Sequence, residues 1–264
     1  MELILDVTGE GPDTILALHG APGTSHGLFR PELDRLAAFA RVAYVDLPGH
    51  GRTPPPNDWS MASVAEVVED ARRQLGVERL TVLGSSYGGF IALHAALARP
   101  DTVERLILVD TAASDAFRAA SIDRANERAT PEQKIAFERL WSDALVDDDD
   151  FCRTWRVLFP IYFSRATPAQ IDEFAARTSY TLATRRAILP TMAGWDLTPR
   201  LRSLTIPTLV VVGEDDWITP PPLARALATA LPNAGVVEFE RCGHYPFLED
   251  PERFAQTVER FLRQ

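Results

Sequence analysis

Short runs of apolar residues recur along the chain, and most are followed by a turn and then by a helical pattern. The runs are rich in Val, Ile and Leu and do not alternate with polar residues, which is typical of parallel strands buried on both faces. They lie at residues 14–18, 42–45, 80–83, 106–109, 208–212 and 236–239. We also expect an antiparallel edge strand at residues 2–7.

Apolar residues at helical spacing predict the elements between these strands. The predicted helices span residues 62–75, 87–98, 223–231 and 252–262. Pro251 suits the start of the last helix, because proline is favoured in a first helical turn. Alternation of strands and helices is typical of an open, doubly wound sheet. The expected fold class is therefore α/β, with a mostly parallel sheet.

One long stretch lacks the strand pattern. Between Thr111 and Pro199 helical periods and aromatic side chains are dense, which indicates a helical insertion between two strands of the sheet. We expect a core domain of residues 1–112 and 197–264, with a helical cap at residues 113–196. The acidic run at residues 147–150 is expected to be a solvated turn or a helix cap rather than a metal site.

Composition narrows the classes of protein. The 264 residues include 27 basic and 37 acidic side chains, a formal charge of −10 that argues against a nucleic-acid partner. The apolar runs are shorter than the ~18 residues that a membrane span needs. Residues 1–11 carry no Lys or Arg and do not resemble a signal peptide, so a cytoplasmic location is expected. Cys152 and Cys242 are too few for a disulfide scaffold.

The strongest chemical signal is the sequence GSSYGG at residues 84–89. It follows a predicted strand and precedes a predicted helix, which is the context of a G-x-S-x-G nucleophile elbow. The sharp turn exposes the serine hydroxyl and requires small residues on both sides. Ser86 has glycine at both second neighbours, whereas the adjacent Ser85 does not, so Ser86 is the expected nucleophile.

A serine hydroxyl needs a base and an orienting acid, which follow the serine in this type of fold. Of the five histidines only His244 lies after the later strands, in a loop before the last helix. The sequence GEDD at residues 213–216 follows a strand and offers three carboxylates. We favour Asp216 as the acid, with Asp215 second. Glu214 is expected to be a solvated turn residue, and Asp110 is a less favoured alternative.

The sequence HGAPG at residues 19–23 is expected to complete an oxyanion hole. One donor should be the backbone N–H after the nucleophile, that of Tyr87, and the other comes from this early loop. Pro22 has no N–H, so Ala21 is the best second donor. His19 is expected to hold the loop, and His50 to pack within another glycine-rich loop.

Five motifs together resemble those of the α/β-hydrolase superfamily, in that family's order along the chain. They are HGAPG, DLPGHGRT, GSSYGG, GEDDWITP and GHYPFLEDP. The resemblance implies a catalytic triad of Ser86, Asp216 and His244, an oxyanion hole at Ala21 and Tyr87, and chemistry that needs neither cofactor nor metal. The stretch at residues 113–196 falls where that family carries its cap.

The motifs favour one type of reaction within the superfamily without excluding others. HGAPG and GSSYGG are similar to those of proline iminopeptidase-like enzymes. Trp217 beside Asp216, and a cap without an obvious glutamate motif, depart from that group. DLPGHGRT looks more like small esterases, enol-lactonases and carbon–carbon bond hydrolases. We therefore expect an esterase, with aminopeptidase, lactonase and carbon–carbon hydrolase as alternatives and a small-ligand receptor as the non-enzyme alternative.

The expected substrate is a small to medium hydrophobic ester, because aromatic residues of the cap are available to line a pocket. Trp155, Phe159 and Trp217 are the expected substrate-binding residues, and Met192 and Trp195 are further candidates. A small molecule is the only partner that the sequence suggests, and the oligomeric state is left open.

Overall fold

A seven-stranded sheet forms the centre of the fold. In the computed structural model, which describes residues 3–264, the strand order is β1-β3-β2-β4-β5-β6-β7. All neighbouring strands pair in parallel except β1, which is antiparallel to β3. The strands are β1 Leu5–Thr8, β2 Asp13–Leu18, β3 Ala40–Val45, β4 Leu80–Ser85, β5 Val103–Val109, β6 Thr208–Gly213 and β7 Ala234–Phe239.

This sheet confirms the predicted α/β class and the position of each apolar run. The antiparallel edge strand begins at Leu5, and Glu2, where the prediction began, lies outside the described residues. The inner strands are buried on both faces because helices cover each side, as the continuous apolar runs indicated. β7 differs because it is an edge strand, and its Val236 is exposed.

Helices flank the sheet at the predicted places. The predicted helix at 62–75 is divided in two, because the amides of Glu66 and Val68 bond three residues back instead of four. The helices outside the long connection after β5 are α1 Met61–Val64, α2 Val67–Leu75, α3 Tyr87–Ala98, α9 Pro221–Ala230, α10 Pro246–Glu249 and α11 Pro251–Leu262.

Residues 113–196, here called the helical insertion, connect β5 to β6. Its two ends lie side by side, since Ser114 and Asp196 form an isolated bridge and Leu197 N donates to Ala113 O at 2.8 Å. Asp147 caps α6 by accepting from Asp150 N at 2.7 Å. The α-helices are α4 Phe117–Arg128, α5 Pro131–Trp141, α6 Asp148–Tyr162, α7 Pro168–Ala176 and α8 Leu182–Ile188. The division into core and cap domains stays a prediction.

The helical insertion contacts the loops that follow the carboxyl ends of the strands. Thr181 N donates to Gly23 O at 2.7 Å, and His244 N donates to Tyr162 O at 2.8 Å. The insertion therefore lies over the edge of the sheet at which ligands bind in open α/β folds. Within residues 3–264, no helix combines the length and the apolar character needed to cross a membrane.

Candidate active site

Ser86 lies in a sharp turn between β4 and α3. Its φ of 52° and ψ of −119° are strained for a residue with a side chain. Two hydrogen bonds hold the turn: Ser86 N donates to Val109 O at 2.9 Å, and Thr111 Oγ1 donates to Ser86 O at 2.8 Å. The turn also depends on close backbone approach, because a Cβ on Gly88 would lie 2.0 Å from Leu18 O. The local structure is therefore a nucleophile elbow.

His244 lies in the loop between β7 and α10, with its side chain buried. Its Nδ1 is 2.9 Å from Asp216 Oδ1. Asp216 follows β6, so the parallel sheet brings the two residues together at one edge. Because Nδ1 donates to the carboxylate, Nε2 is left unprotonated, and this is the tautomer that a general base requires.

Asp216 is held as a carboxylate by several donors. Besides His244, Ile218 N donates to Oδ1 at 2.8 Å and the Thr219 hydroxyl donates to Oδ2 at 2.6 Å. Burial by itself raises the pKa of Asp216, but His244 and these hydrogen bonds outweigh it, so the pKa is lowered. The group can therefore stabilise a positive charge on His244.

A second buried carboxyl group, that of Asp110, lies beside this pair. Asp110 follows β5, has a φ of 45°, and accepts from Gly213 N at 2.9 Å. One oxygen of Asp110, one of Asp216 and one ring nitrogen of His244 lie within 4.8 Å of one another. Burial first, and then the charge of Asp216, raise the pKa of Asp110 well above its usual value. Asp110 is therefore a neutral carboxylic acid at neutral pH.

Three ligand atoms at this spacing are also compatible with a metal ion. The hydrogen bonds explain the cluster without one, because both oxygens of Asp216 accept from other donors and Nδ1 of His244 points to Asp216. The chemistry of the donor set thus fits a carboxyl pair that shares one proton.

The alternatives to the triad residues lie in other surroundings. Ser85 ends β4 and does not line the cavity described below. Asp215 accepts from Ser164 Oγ at 2.7 Å, so it joins the core to the helical insertion. Glu214 accepts from Arg241 N at 3.2 Å in an exposed turn.

Two backbone amides face the cavity beside Ser86, those of Ala21 and Tyr87. Within residues 3–264 neither amide donates to a protein acceptor. Ala21 has a φ of 53°, and Thr24 holds its carbonyl through both its amide, at 3.0 Å, and its hydroxyl, at 2.7 Å. This pair of free donors has the character of an oxyanion hole.

His19 and His50 hold loops near the site. His19 Nδ1 bonds to Gly20 O at 2.9 Å, and His19 Nε2 accepts from Leu47 N at 3.2 Å. Burial lowers the pKa of His19 to about 4 and that of His50 to about 3, so both rings are neutral at neutral pH. His50 Nδ1 lies 3.0 Å from Pro48 O.

A cavity lies between the elbow and the helical insertion, with empty space of about 530 Å³ that includes its open side. Its walls are mostly apolar, and Ser86 and His244 face it together. The residues that the insertion contributes are Phe117, Leu140, Trp141, Trp155, Tyr162, Arg185, Leu189 and Met192.

The structure places some of the expected pocket residues elsewhere. Trp155 and Met192 line the cavity, whereas Phe159, Trp195 and Trp217 do not. Trp217 packs edge-on against Tyr162 at 5.2 Å between ring centroids, which puts it behind the wall. Phe159 packs against Phe174 at 5.4 Å. These aromatic rings stabilise the packing of the insertion and do not reach the cavity.

Arg185 and Tyr162 are the polar lining residues that the sequence did not single out. Arg185 is followed by Arg186, a residue of the same type that forms a surface ion pair with Asp143 at 2.6 Å. No local pattern separates the two arginines, because their difference arises from which side of α8 packs inward. A helical periodicity test of α8 against its neighbours was the available signal.

Comparison with known proteins identifies the class to which this fold and site belong. The profile of the family described as alpha/beta hydrolase fold matches residues 13–251, and the chain belongs to this family. It is a hydrolase, and its solved structural neighbours include esterases.

Three relatives show how the similarity is distributed. The chain is 30% identical to the pimeloyl-[acyl-carrier protein] methyl ester esterase of Nitrosomonas europaea, over 97% of each chain. It is 25% identical to a proline iminopeptidase of Saccharolobus solfataricus, over 95% of this chain and 84% of the relative. A thermophilic esterase from Thermogutta terrifontis, solved with malate bound, superposes with a TM-score of 0.77, 26% identity, and coverage of 99% of this chain and 93% of that chain.

Proposed function

We propose that this protein is a serine hydrolase that cleaves small to medium carboxylic esters with hydrophobic parts. One observation carries the proposal: the hydrogen-bonded pair of His244 and Asp216 faces, with Ser86, a cavity that also presents two free amides. The esterases among the relatives and structural neighbours support the same type of reaction.

In the proposed reaction, Ser86 Oγ attacks the carbonyl carbon of the ester while His244 Nε2 takes the hydroxyl proton. The amides of Ala21 and Tyr87 donate to the oxyanion, and such a donor is worth about 3 kcal/mol in comparable enzymes. His244 then protonates the alcohol, which leaves an acyl group on Ser86. Water, deprotonated by His244, attacks the acyl group and releases the acid, and the proton returns to Ser86.

The distance between base and nucleophile is compatible with an empty site. Within residues 3–264 no hydrogen bond joins the Ser86 hydroxyl to His244. Catalytic hydrogen bonds are often long in unliganded sites and shorten when substrate binds, so this geometry does not disfavour the proposal.

The charges around the cavity favour an ester over an aminoacyl substrate. Among the residues that the structure describes, no carboxylate lines the cavity, and Arg185 is the one permanent charge there. An aminopeptidase that recognises a terminal ammonium needs a negative group near its nucleophile. Aminopeptidase activity is therefore the weaker alternative, although proline iminopeptidases are among the relatives.

A substrate panel with two variants tests the proposal. We expect the wild-type protein to hydrolyse short aryl esters faster than lactones, diketones and proline arylamides, and to react with a fluorophosphonate probe. Ser86→Ala should lose probe labelling and several orders of magnitude in turnover. Ser85→Ala, which changes the neighbouring serine outside the cavity lining, should keep both. Faster cleavage of arylamides or lactones would replace the ester assignment, and failure of the probe to label Ser86 would favour a ligand receptor.

A further inference from the structure

The Arg185 side chain is buried in the wall of the cavity without a compensating negative charge. Its exposed fraction is 3%, and within residues 3–264 it forms no ion pair. The guanidinium lies over the rings of Trp141 at 5.9 Å and Phe151 at 5.4 Å, and Nη2 donates to the carbonyl of Leu140. Charged side chains are rarely buried without a partner, because loss of hydration is costly.

Arg185 stays positively charged in these surroundings. Burial lowers its pKa to about 10, and this value is still well above neutral pH. The neighbouring Tyr162 opposes the effect of burial. The free protein therefore holds a desolvated cation beside its reaction site.

Two buried donors of the cavity lining also have no acceptor. Arg185 Nε and Trp155 Nε1 are shut off from water and make no hydrogen bond among the described residues. An unsatisfied buried donor costs about 1–3 kcal/mol, so such groups are rare unless a ligand satisfies them. The described part of the cavity wall thus presents a positive charge and donors, but no acceptor side chain that complements them.

We propose that Arg185 binds a free carboxylate of the substrate, so that the esters cleaved at Ser86 carry a second, negatively charged carboxyl group. This proposal rests on the proposed ester hydrolysis and adds the class of substrate. The planar fork of arginine matches a carboxylate through two parallel hydrogen bonds. One guanidinium balances the single charge of a carboxylate better than the charge of about −1.5 to −2 on a phosphate monoester at pH 7.

The kinetic test compares matched pairs of esters that differ only in charge. The charged members are the monomethyl esters of succinate, glutarate and adipate, and each neutral partner has its free carboxylate replaced by an amide. We expect the wild-type protein to have a higher kcat/KM for the charged member of at least one pair. Arg185→Gln should reduce the ratio of charged to neutral kcat/KM about 10- to 100-fold, the usual range for a charge-assisted hydrogen bond.

Arg186→Gln is the matched control, because it removes the adjacent arginine of α8, which pairs with Asp143 away from the cavity. It should leave the ratio unchanged. Arg185→Lys, which keeps the charge without the fork, should retain part of the preference and shows that loss of folding is not the cause. A wild-type preference for the neutral esters, or an equal loss on both members in Arg185→Gln, would overturn the proposal.

A binding measurement separates this proposal from the proposed reaction. If no ester of the panel is hydrolysed, the reaction assignment fails, and calorimetric titration of glutarate and adipate into Ser86→Ala still tests the anion site. We expect binding that weakens at least about tenfold when Arg185→Gln is added. Absence of binding to Ser86→Ala, or the same affinity in both variants, contradicts the role of Arg185.

Discussion

Asp110 and Asp216 place two carboxyl groups in one buried site at the ends of neighbouring strands, within 4.8 Å of each other and of His244. Two negative charges at this distance repel strongly in a buried site. The hydrogen bonds decide which group is ionised, because Asp216 accepts from three donors besides Thr219 N whereas Oδ2 of Asp110 has no partner among residues 3–264. Asp110 is consequently the protonated member.

We predict that Asp110→Asn stabilises the protein increasingly as pH rises. The folded state raises the pKa of Asp110, whereas the unfolded chain releases this proton above a pKa of about 3.9. The wild-type free energy of unfolding therefore falls with pH above that value, by up to about 1.4 kcal/mol per unit from this group. Asparagine keeps the shape without titrating, so the difference in Tm between variant and wild type should grow from pH 4 to pH 7.

Thermal unfolding at a series of pH values measures this difference. A Tm difference that is constant across the series would show that Asp110 titrates alike in the folded and unfolded states. The introduced asparagine can still accept from Gly213 N through its amide oxygen, so loss of that hydrogen bond does not complicate the comparison.

Asp216→Asn should lower kcat by about 10⁴-fold, the size of effect seen when a triad acid is replaced by its amide. The amide removes the charge that stabilises the His244 imidazolium and can donate a proton to Nδ1, which favours the wrong tautomer. Steady-state hydrolysis of an aryl ester measures the loss. Asp215→Asn changes the adjacent carboxylate, which bonds to Ser164, and should have little effect. A large loss in Asp215→Asn with little loss in Asp216→Asn would exchange their roles.

The strands and the elbow follow from local sequence for a physical reason. A strand buried on both faces has to be apolar throughout, and the turn at Ser86 tolerates only small neighbours such as Gly88, so both leave a mark in the sequence. The fold class and the sheet were predictable on that basis. The break in the helix at 62–75 was not, because it depends on a local change of hydrogen bonding that apolar spacing does not reveal.

The cavity wall was only partly predictable, because it depends on how the helical insertion packs. Apolar aromatic residues face either a cavity or one another, and nothing in the local sequence separates Trp155, which lines the cavity, from Trp217, which packs behind it. The partnership of Asp110 with Asp216 likewise arises from strand order, since the two residues are far apart along the chain.

Glu249 should act as a positioning residue for His244, and Glu249→Gln tests this role. Its carboxylate accepts from Gly243 N at 2.6 Å and from Ser164 N at 2.7 Å, so it joins the loop of His244 to the end of the helical insertion. In glutamine one of these oxygens becomes a donor that faces another N–H, and the loss should cost about 1–3 kcal/mol. We expect a lower Tm and a kcat about tenfold lower with little change in KM, because the base moves while the cavity wall remains. Glu240→Gln removes an exposed charge after β7 and is the matched control, with Tm and kcat expected to stay at the wild-type values. A lower Tm in Glu249→Gln with kcat unchanged would show that this carboxylate stabilises the loop without positioning the base.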